Sequence, residues 1–169
     1  MKKDGDNPTL NIGSGTDTYG DVRLDLFPNR NVTVVGDGQH LPFRQSVFRE
    51  VHEKNLLEHL PNPGLHLLEV KRVLQDHGVL RLITDNAACL KYYLLGTHTG
   101  GYRKHRGKDK HFALFTKEHM ENLMELCNFH ITGMSFIDTD YPTLYFDKVL
   151  RLVVPSLSYP RILVEASKS

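Results

Sequence analysis

Leu10-Asn11-Ile12-Gly13-Ser14-Gly15 is followed at short intervals by Asp25 and then by Gly36-Asp37-Gly38. Each segment closes a short apolar or β-branched run, so each reads as the carboxyl end of a strand. The glycines of the first suit a backbone that must approach a ligand closely. Asp25 offers a carboxylate able to accept from two ribose hydroxyls. Asp37 can accept from an exocyclic amine, beside the amide of Gly38. Ligands of open α/β sheets bind beyond the carboxyl ends of the strands, so the three groups can converge on one nucleoside.

Working outward, the pattern predicts strands over residues 9–12, 22–26, 32–35, 47–52 and 79–84. It predicts a helix over 64–76, with Leu67, Val70, Val73 and Leu74 on one face and Gly78 just past its end. A second helix is expected over 117–127, burying Met120, Leu123, Met124 and Cys127. Thr116 is its natural N-cap, and Glu118 suits the positive end of its dipole. Residues 129–137 read as a strand. Phe146, Val149, Leu150 and Val153 recur with helical spacing before Pro155, although the same residues could form a strand. Residues 162–166 read as the last strand. Only Gly13 to Asp21 separate the first two strands, fewer residues than a parallel crossover usually takes. Either that crossover is a bare loop or the first strand pairs differently.

Four further motifs follow in order. They are Asp37-Gly38-Gln39-His40-Leu41-Pro42-Phe43, Leu56-Leu57-Glu58-His59-Leu60, Glu69-Val70-Lys71-Arg72-Val73-Leu74 and Gly78-Val79-Leu80-Arg81-Leu82. Together they resemble the type 11 group of class I S-adenosylmethionine-dependent methyltransferases, with its G-D-A-x-x-L-P-F, L-E-H and E-x-x-R-V-L-x-x-G-G signatures. The resemblance covers residues 9 to 85. It implies an α/β fold: a Rossmann-like methyltransferase sheet, mostly parallel with an antiparallel closing strand. The short first crossover resembles a shortened subgroup lacking the N-terminal helices and the first crossover helix. One domain over 1–169 is expected.

The resemblance also assigns roles. Asn11, Gly13, Ser14, Gly15, Asp25, Leu26, Asp37, Gly38 and Leu41 would hold S-adenosylmethionine, with Leu41 or Phe43 covering the adenine. Asn55 and His59 would stand beside the methyl group, the histidine as a candidate base because imidazole titrates near neutrality. A structural hydrogen bond is the blander role for His59, and a turn-capping carboxylate is the blander role for Asp25 and Asp37. Asn11 stands where many relatives carry an acid, Arg49 where they carry Asp, and His77 where they carry the first Gly of a pair. Arg49 reads as a surface accommodation and His77 as a helix-end residue.

Other classes are disfavoured. A dinucleotide-binding G-x-G-x-x-G would need glycine at Thr18, and no G-x-x-x-x-G-K-[ST] occurs. The [DN]-P-P-[YFW] motif of enzymes that methylate base amines is absent after the fourth strand. A net charge of +1 gives no global pull toward nucleic acid or an anionic membrane. No secretory leader and no run of about 20 apolar residues is present, so a cytoplasmic protein without a membrane span is expected. Cys89 and Cys127 read as small buried apolar groups, and no metal-ligand spacing occurs among the histidines.

Residues 101–111 concentrate Arg103, Lys104, Arg106, Lys108 and Lys110 around Asp109. Arg103, Lys104 and Arg106 are candidate contacts for an anionic acceptor, with Tyr92, Tyr93 and Tyr102 available for stacking or packing. The expected function is methyl transfer to a small molecule or glycan. Nucleic-acid methylation through the basic segment is the first alternative, and a non-catalytic partner subunit is the second.

Overall fold

The computed structural model describes residues 7–94, 111–138 and 145–168. Seven strands form one sheet: β1 (Thr9–Ile12), β2 (Val22–Asp25), β3 (Val34–Val35), β4 (Phe48–Lys54), β5 (Leu74–Asp85), β6 (Phe129–Ile137) and β7 (Arg161–Lys168). Their spatial order is β3-β2-β1-β4-β5-β7-β6. The first five pair in parallel, and β7 runs antiparallel to both β5 and β6. The expected sheet, with its antiparallel closing strand, is therefore present. Leu10↔Val22 and Ile12↔Leu24 are parallel partners, so the residues 13–21 between them form a bare-loop crossover.

Four α-helices complete the described chain: α1 (Pro63–Val73), α2 (Leu90–Leu94), α3 (Lys117–Leu126) and α4 (Asp147–Val153). Thr116 caps α3 in a reciprocal box with His119. Met120 and Met124 are fully buried, Cys127 nearly so, and Leu123 packs at the edge of the core. Asn62 caps α1 by accepting from the Leu65 N–H at 3.0 Å, with Pro63 in the first turn, where its missing donor costs nothing. The spacing of Phe146, Val149, Leu150 and Val153 resolves as helix α4, yet Val149 and Val153 face solvent and the buried residue is Asp147.

α1 stops at Val73, earlier than its periodicity predicts. Leu74 turns extended and pairs with Phe48, so the residues expected in the helix's last turn begin β5. His77 is thus four residues beyond the helix, not at its end. It adopts φ +61°, a left-handed backbone that favours glycine. Gly78 follows because a Cβ there would come within 2.8 Å of the Gln75 carbonyl. Tyr92 packs inside α2, its hydroxyl donating to the Pro160 carbonyl at 2.6 Å, whereas Tyr93 is exposed. Cys89 and Cys127 are buried free thiols.

The two faces of the sheet differ sharply. Leu67, Val70 and Val73 of α1 and Met120 and Met124 of α3 join Leu10, Ile12, Val51, Leu80, Leu82 and Val164 in one apolar core. The opposite face carries Arg23, Asn11, His52, Arg81 and Glu165 in register across five strands. Arg81 bridges Glu50 at 3.6 Å and Glu165 at 3.3 Å, and the Tyr19 hydroxyl donates to Glu50 at 2.6 Å. Parallel strands are usually apolar on both sides. Here they alternate, as a sheet with one polar face requires. Among the described residues, no helix is long and apolar enough to cross a membrane.

Candidate functional site

A cleft of about 500 Å³ opens at the carboxyl ends of β1, β2, β3 and β4, within the range of small-molecule sites. Ile12, Gly13, Leu24, Asp25, Leu26, Phe27, Gly36, Asp37 and Gly38 line one side. Gln39, Asn55, Leu56, His59, Leu60, Pro61 and Phe112 complete it. The crossover loop enters it through Gly13, whose N–H donates to the Leu24 carbonyl at 2.8 Å. Gly13 sits at φ +67°, and a Cβ there would stand 3.0 Å from Leu56. Both the backbone angle and the close approach explain the glycine.

Asp25 ends β2 with both carboxylate oxygens engaged. Oδ2 accepts the Gly15 N–H at 2.8 Å and Oδ1 the Phe27 N–H at 2.9 Å. The side chain thus ties the crossover loop to the turn after β2 while facing the cleft. Each oxygen still has a lone pair for a hydroxyl. Asp37 is arranged in the same way: Oδ1 accepts the Gln39 N–H at 2.8 Å, and Oδ2 lies 3.4 Å from the His40 ring. The Gln39 bond outweighs the opposing effect of burial and holds the Asp37 carboxyl below the usual range, so it stays ionised at neutral pH. Capping and ligand-facing roles are therefore compatible at both aspartates.

Asn55 follows β4 at φ +52°, its N–H held by the Ile83 carbonyl at 2.8 Å. Its Oδ1 is buried and has no partner among the described residues. Beside it, the His59 ring meets His111 edge-on with centroids 4.4 Å apart, and His111 lies 4.0 Å from the Asp85 carboxylate. Immediately behind is Glu58, 2% exposed, which accepts from the Thr84 hydroxyl at 2.9 Å. Burial, reinforced by the Asp85 charge, pushes its pKa up to about 7.

Several expected residues stand elsewhere. Asn11 points to the polar sheet face, where its amide donates to Asp17 at 3.2 Å and to the Tyr19 carbonyl at 3.3 Å, bracing the crossover loop. Leu41 is buried in the core, because Glu69 and Arg72 clasp its backbone from α1. Glu69 accepts the Leu41 N–H at 2.9 Å, while Arg72 donates to the carbonyls of Leu41 at 3.0 Å and Phe43 at 2.8 Å. The E-x-x-R and L-P-F segments are thus two halves of one fastening. Phe43 also packs against the core. Ser14 and Gly15 flank the cleft without lining it. Arg49 is exposed in β4, as expected. Arg103, Lys104, Arg106 and Tyr102 lie outside the described residues. The apolar rim of Phe27, Phe112 and Leu56 was missed, although an aromatic two residues after a strand-end aspartate was visible.

Residues 14–82 match the family model of a methyltransferase domain. This segment includes Asp25, Asp37 and Gly38 as well as the Glu69–Arg72 clasp. The fold is that of a class I S-adenosylmethionine-dependent methyltransferase. A Bacillus halodurans C-125 protein assigned as a methyltransferase is similar at 19% identity and a TM-score of 0.62, covering 96% of this chain and 92% of that one. A methyltransferase of Methanosarcina mazei is similar at 14% identity and a TM-score of 0.63, covering 95% and 91%. A third similar structure is a methyltransferase in complex with the Haloferax volcanii Trm112 methyltransferase activator, at 12% identity and a TM-score of 0.63, covering 96% and 82%. No curated protein matches the sequence. The match to a methyltransferase domain over residues 14–82 supports S-adenosylmethionine as the cofactor, and the chemistry of the cleft fits it. Two carboxylates with spare lone pairs suit a ribose and an adenine amine, and a glycine-lined loop suits the methionine portion.

Proposed function

We propose that this chain transfers a methyl group from S-adenosylmethionine to a small-molecule or glycan acceptor. In this reading Gly13, Asp25, Asp37 and Gly38 hold the donor, and Asn55 and His59 face the acceptor. The observation that carries it is convergence. Seven residues that the sequence singles out, Gly13, Asp25, Leu26, Asp37, Gly38, Asn55 and His59, line one cleft beyond the ends of four strands, with two carboxylates, an amide and an imidazole among them. S-adenosylmethionine, when bound, would supply a methyl group activated by its sulfonium charge, the neutral thioether S-adenosylhomocysteine being the leaving group.

The chain's own residues supply alignment and proton removal. The buried Asn55 Oδ1 accepts from an N–H or O–H of the acceptor, which fixes its direction. The His59 imidazole takes the proton as the new bond forms. The Phe27 and Phe112 rings give the opening an apolar rim.

Calorimetric titration with S-adenosylhomocysteine tests the donor site. One molecule is expected to bind per chain and to raise the melting temperature. No heat and no thermal shift at millimolar ligand removes the proposed activity. Asn55→Ala and His59→Ala are expected to leave that affinity within about threefold, because neither faces the ribose or adenine ends. A loss as large as that of an Asp25 variant would place them on the donor instead.

A further inference from the structure

His66 is a fully buried histidine on α1, outside the cleft, and both its ring nitrogens are engaged. Nδ1 lies 2.7 Å from the Gly38 carbonyl oxygen and Nε2 lies 2.5 Å from Glu53 Oε2, also fully buried. A carbonyl only accepts, so Nδ1 carries a proton. The remaining proton is shared with Glu53, either as imidazolium and carboxylate or as neutral imidazole and acid. In both cases the Nδ1–H stays on Gly38.

The Gly38 carbonyl belongs to the same peptide unit as the Gln39 N–H, and that N–H donates to Asp37 Oδ1 at 2.8 Å. One rigid, planar peptide is therefore gripped at its oxygen by His66 and at its hydrogen by Asp37. Chains of hydrogen bonds polarise one another, so the bond from His66 strengthens the bond to Asp37. Gly38 packs directly beneath the histidine: a Cβ there would stand in van der Waals contact with the His66 ring at 3.4 Å and with Ile12 at 3.5 Å.

We propose that His66, backed by Glu53, is a positioning residue that aims the Asp37 carboxylate into the cleft through the 38–39 peptide and so sets the preference for an adenine base. The inference rests on the donor site proposed above and deepens it. The base is recognised by Asp37, and the orientation of Asp37 is decided inside the core. The charged groups facing His66 are Glu53 from β4 and, through the peptide, Asp37 after β3. Burial, the largest single effect, works against the imidazolium, but Glu53, the Gly38 carbonyl and Asp37 together outweigh it, leaving the ring's pKa raised.

Two ligands and two variants test this. S-inosylhomocysteine carries a carbonyl where S-adenosylhomocysteine carries the amine and moves its donor to ring N1–H, so the 6-position that Asp37 would face presents an acceptor instead of a donor. Wild type is expected to favour the adenosyl ligand by about tenfold or more. Glu53→Gln keeps the grip: its amide donates to Nε2, a neutral His66 keeps its Nδ1–H on Gly38, and the preference stays within about threefold of wild type. His66→Phe combined with Glu53→Leu removes the grip without stranding a buried charge. This pair is expected to lose most of the adenosyl preference while inosyl affinity changes less than about threefold. Equal losses for both ligands, or loss of preference in Glu53→Gln, overturn the inference while leaving the donor site standing. Failure of wild type to bind either ligand overturns both. If the double variant does not melt cooperatively, nitrogen-15 spectra of wild-type His66 decide: a proton on Nδ1 that shifts with the adenosyl ligand alone supports it, and an unprotonated Nδ1 overturns it.

Discussion

Asp25→Asn is expected to lower both cofactor affinity and thermal stability. The carboxylate accepts the Gly15 and Phe27 N–H groups on separate oxygens. An amide has a single acceptor oxygen, so its NH₂ must confront one of those donors. Leaving that N–H unpaired costs about 1–3 kcal/mol, toward the low end because the site is only half-buried. For a chain of this size, each kcal/mol lowers the melting temperature by roughly 2–4 °C. Affinity for S-adenosylhomocysteine falls by a further 1.5–3 kcal/mol or so, the scale of a hydrogen bond to a charged group. That is roughly tenfold to more than a hundredfold in dissociation constant. From sequence alone, a ligand-facing Asp25 is expected to leave stability nearly constant. The structure replaces that clean alternative, because one side chain both closes the loop and faces the cleft. A lower melting temperature with unchanged affinity would assign Asp25 to the loop alone.

Glu58→Gln is expected to flatten the decline of stability between acidic and mildly alkaline pH. The Glu58 carboxyl has an ordinary value of 4.5 and is pushed up to about 7 in the fold. The folded chain therefore holds this proton more tightly than the unfolded chain. Its stabilising contribution is complete below about pH 4.5 and is lost as pH rises through about 7. At about 1.4 kcal/mol per pH unit, this group removes on the order of 3 kcal/mol of stability across that window. Glutamine keeps an acceptor for the Thr84 hydroxyl and never charges beside Asp85. Thermal melts of the two proteins should coincide near pH 4.5 and diverge by several degrees at pH 8, with the variant the more stable. Parallel curves would mean that Glu58 ionises without cost.

Local signals carried much of this fold. β1 and β6 begin and end where their apolar runs do, and Thr116 caps α3 as its side chain and neighbours dictate. The end of α1 was not legible, since Leu74, Gln75 and Asp76 continue a helical pattern and only pairing with Phe48 draws Leu74 into the sheet. Leu41 fails for a similar reason. An apolar residue beside a binding loop suits a ligand as well as a core, and the clasp that pulls it inward comes from Glu69 and Arg72, far along the chain. Asn11 was placed by analogy at a strand end, but strand alternation sends it to the opposite face from Ile12. That same alternation, in Phe48–Lys54 and Val79–Asp85, announced a sheet with one polar side.

The loop-only connections of β1, β2 and β3 carry a thermodynamic consequence. Two proposed donor-binding carboxylates, Asp25 and Asp37, sit on this part of the sheet, whose outermost strand is two residues long. Few main-chain ladders and no crossover helix hold it, so its opening free energy falls below that of the β4–β7 portion. A nucleoside bridging the three strand ends then supplies by mass action what covalently connected helices would otherwise contribute. At a hundredfold excess over its dissociation constant, a ligand adds about 2.7 kcal/mol to the folded state. Under the proposed function, the level of free cofactor becomes a determinant of how long this chain survives proteolysis.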